Sequence, residues 1–307
     1  MKVRTQIWLD KRLVKPFVAA TNILVRLVGQ ILRLNHQLDR DFKTIAVCKY
    51  KGLGSILQAS PLLQTLKKNY PNSKLVFVST KGNEGLLKEI KCIDELVLLN
   101  DSSPSKLLLS YPSFVLQLIR LRIGVFIDLE IYSDFSSLTT TLSLARNRVG
   151  YYLRASQYRM GIYTHMMYYN TRVPIMQTYL QMARLLGIRE TVDSLYPLKS
   201  NITKIDSWDL KKQYIVINPN ASDLRIERRW GLDKFKQVID ALTLNFPQYE
   251  LVIIGAPSES DHVKSLMDLL RPDQVTNLAG KTSFNELIAL IENCRLLVTN
   301  DTGPMHM

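Results

Sequence analysis

The chain has 307 residues, 46% of them hydrophobic, which is enough for two domains with proper cores and excludes a disordered or collagen-like polymer. Its net charge is +13, but outside the N-terminal arm the basic residues are dispersed and no nucleic-acid motif accompanies them, so nucleic acid is not an expected partner. Cys48, Cys92 and Cys294 stand singly, without Cys-x-x-Cys spacing, and the four histidines are scattered, which argues against a disulfide framework or a structural zinc site.

Residues 1–42 read as a basic amphipathic arm. Over residues 1–43 there are nine basic side chains against three acidic ones, so a large share of the net charge sits in a short segment. Inside it, residues 16–34 (PFVAATNILVRLVGQILRL) form a moderately apolar helix. Arg26 and Arg33 count against a spanning helix, and no small-residue cleavage site marks a signal peptide. Two readings stay open for the arm. It lies on an anionic membrane surface, or it packs on the domain behind it.

From residue 43 the pattern alternates strand and helix. Strands are expected at 44–49, 74–79, 95–99 and 125–130, with helices at 56–69, 107–121 and 175–186, which makes a βαβ series with a parallel sheet over residues 43–187. Residues 188–212 are polar and carry no periodic element, so they read as a linker. A second series over 213–307 places strands at 214–218, 251–255, 275–279 and 296–300, and helices at 232–245, 258–270 and 283–293. In such sheets ligands bind beyond the carboxyl ends of the strands. The last predicted strand runs into Asn300-Asp301-Thr302-Gly303-Pro304-Met305-His306, a turn suited to phosphate.

Several motifs occur in order: Gly52-Leu53-Gly54-Ser55-Ile56 with Pro61-Leu62-Leu63; Asn218-Pro219 with Arg228-Arg229-Trp230; Ile254-Gly255-Ala256-Pro257 with Glu259; and the terminal Asn300 to His306 turn. Together they resemble glycosyltransferase family 9, which includes the ADP-heptose:lipopolysaccharide heptosyltransferases. The resemblance covers residue 43 to the end and leaves the arm unexplained. It implies an α/β protein of the GT-B class, with two Rossmann-like domains whose parallel sheets face a cleft. It implies transfer of a sugar, with heptose from ADP-heptose the expected donor, to a lipid-linked lipopolysaccharide or other surface glycan, on the cytoplasmic side of the cell membrane. An inverting single displacement without metal is expected, since no Asp-x-Asp motif for a divalent ion accompanies these features, and no cofactor is called for. Family members continue past the equivalent of residue 307, so the second domain is expected to be incomplete here.

The resemblance also distributes roles. Gly54 and the helix start at Ser55 would approach an oxyanion, Asn218 ends the strand before the arginine loop, and Arg228 and Arg229 would pair with the donor diphosphate. Glu259 would hold the ribose, Asp301, Thr302 and Gly303 the donor sugar and diphosphate, and His306 would support that turn. One departure matters more than the matches. Where the family has a catalytic aspartate after the second glycine, this chain has Ser55, which is no general base without a partner. Asp128 and Glu130, expected on one face of the fourth strand, are the replacement candidates, with Glu130 preferred. A non-catalytic nucleotide- or glycan-binding protein, or a nucleotide-sugar epimerase, is the alternative.

Overall fold

The computed structural model describes residues 10–38, 41–202, 208, 210, 213–221 and 226–307. The chain forms two compact units, Met1–Tyr196 and Pro197–Met307.

Among the described residues, the first unit begins with a π-helical turn, Asp10–Val14, that runs into helix α1 (Lys15–Leu32). Pro16 sits in the first turn of α1, where its missing N–H costs nothing, and Arg33 ends the helix in the left-handed region at φ 44°. Six strands follow: β1 (Thr44–Cys48), β2 (Lys74–Thr80), β3 (Glu95–Leu99), β4 (Val125–Asp128), β5 (Asn147–Tyr152) and β6 (His165–Tyr168). The connecting helices are α2 (Leu53–Asn69), α3 (Glu84–Glu89), α4 (Pro104–Arg120) and α5 (Asp134–Leu142). A 3₁₀ segment (Arg154–Ile162) links β5 to β6, and α6 (Ile175–Leu185) follows. Every strand pair is parallel and the order is β3-β2-β1-β4-β5-β6, a doubly wound sheet. All residues of β1 are buried, as expected of a central strand covered on both faces.

The expected elements are present, with differences at their ends. Helix α2 begins at Leu53, three residues earlier than the apolar periodicity indicates, because Gly52 takes φ 86° and caps it. Strand β4 ends at Asp128, not at 130, because the Asp128 carboxylate accepts the Glu130 N–H at 2.9 Å and turns the chain. Residues 188–196 lie on the first unit: Val192 N donates to Thr65 Oγ1 and Tyr196 N to Ser60 Oγ, both on α2.

The second unit repeats the scheme. Strands β7 (Tyr214–Asn218), β8 (Glu250–Ile253), β9 (Thr276–Asn277) and β10 (Leu296–Thr299) are all parallel, in the order β10-β7-β8-β9. Helices α7 (Leu232–Asn245), α8 (Ser260–Met267) and α9 (Phe284–Asn293) connect them. Alternation along β7 sends Ile215 and Ile217 into one core layer with Phe235 and Ile239, and Tyr214 and Val216 into the other with Leu290. Each such buried side chain contributes on the order of 1.5–3 kcal/mol. Helix α9 is started by a reciprocal cap between Ser283 and Glu286.

Candidate functional site

A doubly wound sheet changes winding direction between two neighbouring strands, and the crevice at their carboxyl ends is where ligands bind. In the first unit those strands are β1 and β4, with Cys48 opposite Asp128. In the second they are β7 and β10, with Asn218 opposite Thr299. The residues singled out from the sequence gather at these two places, with Glu259 one strand away after β8.

At the first switch point the chain leaves β1 as Lys49-Tyr50-Lys51-Gly52 and enters α2. The first backbone bond of α2 runs from Ile56 N to Gly52 O, so the N–H groups of Leu53, Gly54 and Ser55 lie outside the helical ladder. Gly54 is therefore inside the first turn, and the positive-φ glycine that shapes the approach is Gly52. Ser55 is partly buried in this turn, and its helix packs along α6, which carries the fully buried Tyr179.

Glu130 faces this turn. Its Oε1 accepts from Lys49 Nζ at 2.9 Å, Tyr50 N at 2.8 Å and Lys51 N at 3.0 Å. Burial alone would raise its pKa, but the Lys49 ammonium and the two backbone N–H groups outweigh it and leave the carboxyl below its usual value. Lys49 is the mirror image. Burial pulls it down, and Glu130 more than restores the charge.

Asp128 has the opposite environment. It is 1% exposed, its Oδ1 accepts from Glu130 N, and its Oδ2 accepts from the Tyr163 hydroxyl at 2.7 Å. Burial pushes its pKa up to about 6, against the lowering effect of these hydrogen bonds. The expectation that Asp128 and Glu130 share an open face is corrected here. The strand has already turned at Asp128, which points its carboxylate at α5 and Tyr163, while Glu130 turns toward β1. Asp128 supports the wall of the site from beneath. A further buried cation, Arg159, ties that wall together by donating to Ser133 O, Ser137 Oγ and Ile131 O.

At the second switch point the geometry is built from asparagines. Asn218 Nδ2 donates to Thr299 Oγ1 at 3.0 Å, Asn220 Nδ2 donates to Asn218 Oδ1 and to Ile254 O, and Asn300 Nδ2 donates to Pro219 O. All three asparagines are buried, so they fix the loops rather than meet a ligand. Gly255 is required beside them, since a Cβ there would come within 2.7 Å of Asn220 Nδ2.

Above this layer the charged groups are exposed. Arg228 Nη1 pairs with Asp301 Oδ2 at 2.9 Å, with both side chains nearly half exposed. Arg229 is occupied differently, donating through Nε and Nη2 to the Ala221 carbonyl. Trp230 packs edge-on against Phe235, and its backbone N–H donates to Asn300 Oδ1. Thr302 precedes the 3₁₀ turn Gly303–His306, and His306 Nε2 lies 3.9 Å from Asp301 Oδ1. Glu259 accepts from Ala256 N at 2.8 Å after β8.

The structure thus groups Gly54, Ser55 and Glu130 in one unit, and Asn218, Arg228, Asp301, Thr302, Gly303 and His306 in the other. Lys49, Tyr179 and Asn220 enter the site without having been singled out. Lys49 carries a readable signal, a lone charge appended to a fully apolar strand, whereas the roles of Asn220 and Tyr179 depend on contacts distant in sequence.

The chain resembles known proteins along most of its length. It is 27% identical over 271 residues to lipopolysaccharide heptosyltransferase 3 of Escherichia coli, covering 83% of this chain and 76% of that one. It is 24% identical over 261 residues to lipooligosaccharide heptosyltransferase 2 of Campylobacter jejuni, covering 83% and 74%. Among solved structures, the ADP-heptose lipopolysaccharide heptosyltransferase II of E. coli superposes with a TM-score of 0.67 at 19% identity, over 86% of this chain and 80% of that one. The fold is therefore GT-B. The family description glycosyltransferase family 9 (heptosyltransferase) matches residues 136–307, more than half of the chain, and the protein belongs to that family.

Proposed function

We propose that this glycosyltransferase moves heptose from ADP-heptose to a lipid-linked lipopolysaccharide acceptor or a related bacterial surface glycan. The observation that supports this reading most is the fall of both motif clusters at the switch points of their sheets, where α/β proteins bind ligands. The relatives are named for heptosyl transfer to lipopolysaccharide or lipooligosaccharide, and an E. coli heptosyltransferase of similar fold was solved with ADP.

In this reading the second unit holds the donor. Arg228 and the N–H groups of the turn at 301–303 receive the diphosphate, His306 steadies that turn through Asp301, and Glu259 receives the ribose. As the bond from the anomeric carbon to the diphosphate breaks, the growing charge meets a guanidinium and fixed dipoles. The first unit holds the acceptor. Glu130 takes the acceptor proton while the new glycosidic bond forms, giving inversion in one displacement. Because Lys49 keeps Glu130 ionised beforehand, the base is ready at neutral pH, and its low basicity places the proton transfer late. Ser55 and the free N–H groups of α2 orient the acceptor and do not act as base. The enzyme works at the inner face of an anionic membrane, attached through residues 1–40.

Isothermal titration of the full chain tests the donor assignment. ADP and ADP-heptose should bind with heat that is absent for UDP. Equal affinity for both nucleotides would reject ADP-heptose as the donor.

A further inference from the structure

Helix α1 is fixed to the first unit along one stripe and at both ends. Val14, Val18, Asn22 and Arg26 recur every fourth residue, which at about 3.6 residues per turn keeps them on one side. Val18 is fully buried against Ile162 and Tyr163, and Val14 packs on the same cluster. Gly161 leaves the room for Asn22 and Arg26, since a Cβ there would collide with both side chains. Before the helix, Asp10 accepts from the N–H groups of Asp134 and Phe135 and so caps α5; Lys15 lies 4.7 Å over the Tyr158 ring. After it, Arg146 donates to Asn35 O and pairs through its own carbonyl with His36.

The opposite side carries large apolar side chains in contact with solvent: Phe17 is 67% exposed, Leu24 60%, Leu27 52% and Ile31 78%. Lys15 and Arg26, at the edge of the docked stripe, and Arg33, at the helix end, are exposed to solvent beside it. An apolar strip with a basic border matches the headgroup and acyl boundary of an anionic bilayer. The segment Asp10–Leu32 is long and apolar enough to cross a membrane. Crossing would carry its two ends to opposite sides of a hydrocarbon layer about 30 Å thick, and both ends are held by the same unit.

We infer that α1 is an in-plane membrane helix, clamped to the acceptor unit by its Val14–Arg26 stripe and immersed in an anionic lipid surface by its Phe17, Leu24, Leu27 and Ile31 side. This rests on the membrane attachment proposed above and adds its geometry: the acceptor unit is held at a fixed orientation to the bilayer, not tethered by a flexible arm. The interaction needs no second copy of the chain.

Flotation of the full chain with phosphatidylglycerol-containing vesicles is the test, compared with a Leu24→Glu, Ile31→Glu double variant whose changes lie away from the docked stripe. The wild type should float, lose most of its binding in about 1 M salt, and leave the vesicles on alkaline carbonate washing. The double variant should bind at least about tenfold less while keeping its affinity for ADP, which separates failure of this surface from failure of the donor reading. Absence of flotation, equal flotation of the double variant, or retention through carbonate washing would each overturn the inference. So would a wild-type dimer in solution that the double variant dissolves, because the apolar side would then belong to a second copy.

Discussion

Asp128 and Glu130 carry the same carboxyl group two residues apart, and their surroundings push them in opposite directions. Asp128 is the raised case, so the sign follows from the unfolded chain losing its proton first. The stability it contributes is complete below the ordinary value of 3.8 and is lost as pH rises through about 6. That difference corresponds to roughly 3 kcal/mol across the window. In Asp128→Asn the amide keeps an oxygen for Glu130 N and offers an N–H to Tyr163, so the variant should fold and its unfolding free energy should be flatter between pH 4 and 7 than that of the wild type. Denaturant titrations at a series of pH values measure this, and an unchanged pH slope would remove Asp128 as its source. Glu130 is the lowered case. Glu130→Gln should reduce turnover by about 10²–10⁴-fold with donor affinity unchanged, the pattern of a lost general base. Lys49→Met should destabilise the first unit by about 3 kcal/mol, since it leaves Glu130 buried without its cation. Thermal or denaturant unfolding that shifts by less than about 1 kcal/mol would show that the two backbone N–H groups suffice.

At the scale of the elements, the arginine loop divides its labour. Among the described residues Arg228 meets an exposed carboxylate, whereas Arg229 holds the Ala221 carbonyl and shapes the loop. Arg228→Ala should weaken ADP binding by about 1.5–3 kcal/mol with little change in stability. Arg229→Ala should lower stability first and affinity only as a consequence. Calorimetry alongside thermal unfolding separates the two, and identical profiles for both variants would contradict the division. Gly255 makes a companion case, because Gly255→Ala would press on Asn220 and disturb the asparagine layer that fixes both loops. The strands and helices here were readable because strong apolar runs end in glycine or asparagine. What escaped reading has a physical reason in each instance. Helix α5 has the sequence DFSSLTTTL, whose serines and threonines read as loop. It is stabilised instead by caps from Ser133 and Asp10 and by burial of most of its hydroxyls. Strands β5 and β6, NRVGYY and HMMY, lack an apolar run and are held by parallel pairing and by Tyr163 packed over Gly150. The end of β4 was set by a side chain bonding two residues ahead, a local event that alternation does not encode.

For the whole molecule, two parallel sheets with the same winding explain why motifs scattered from residue 52 to residue 306 collect at two places. Parallel sheets could be expected from the alternation of elements, and the motif series identified the family. Glu130 could be named as a candidate base from the sequence, but the contact that brings it to the turn before Ser55, 75 positions earlier, exists only in the fold. The arm is legible by composition as amphipathic, but its docked stripe depends on Gly161 and Tyr163, far along the chain. The most direct measurement is heptosyl transfer itself. Incubate the wild-type chain, and its Glu130→Gln variant, with ADP-heptose and a lipopolysaccharide core acceptor, and follow both products by mass spectrometry. One added heptose per acceptor with equimolar ADP is expected from the wild type, and a rate lower by about 10²-fold or more from the variant. Release of ADP without a heavier acceptor, or equal rates from the two proteins, would contradict it.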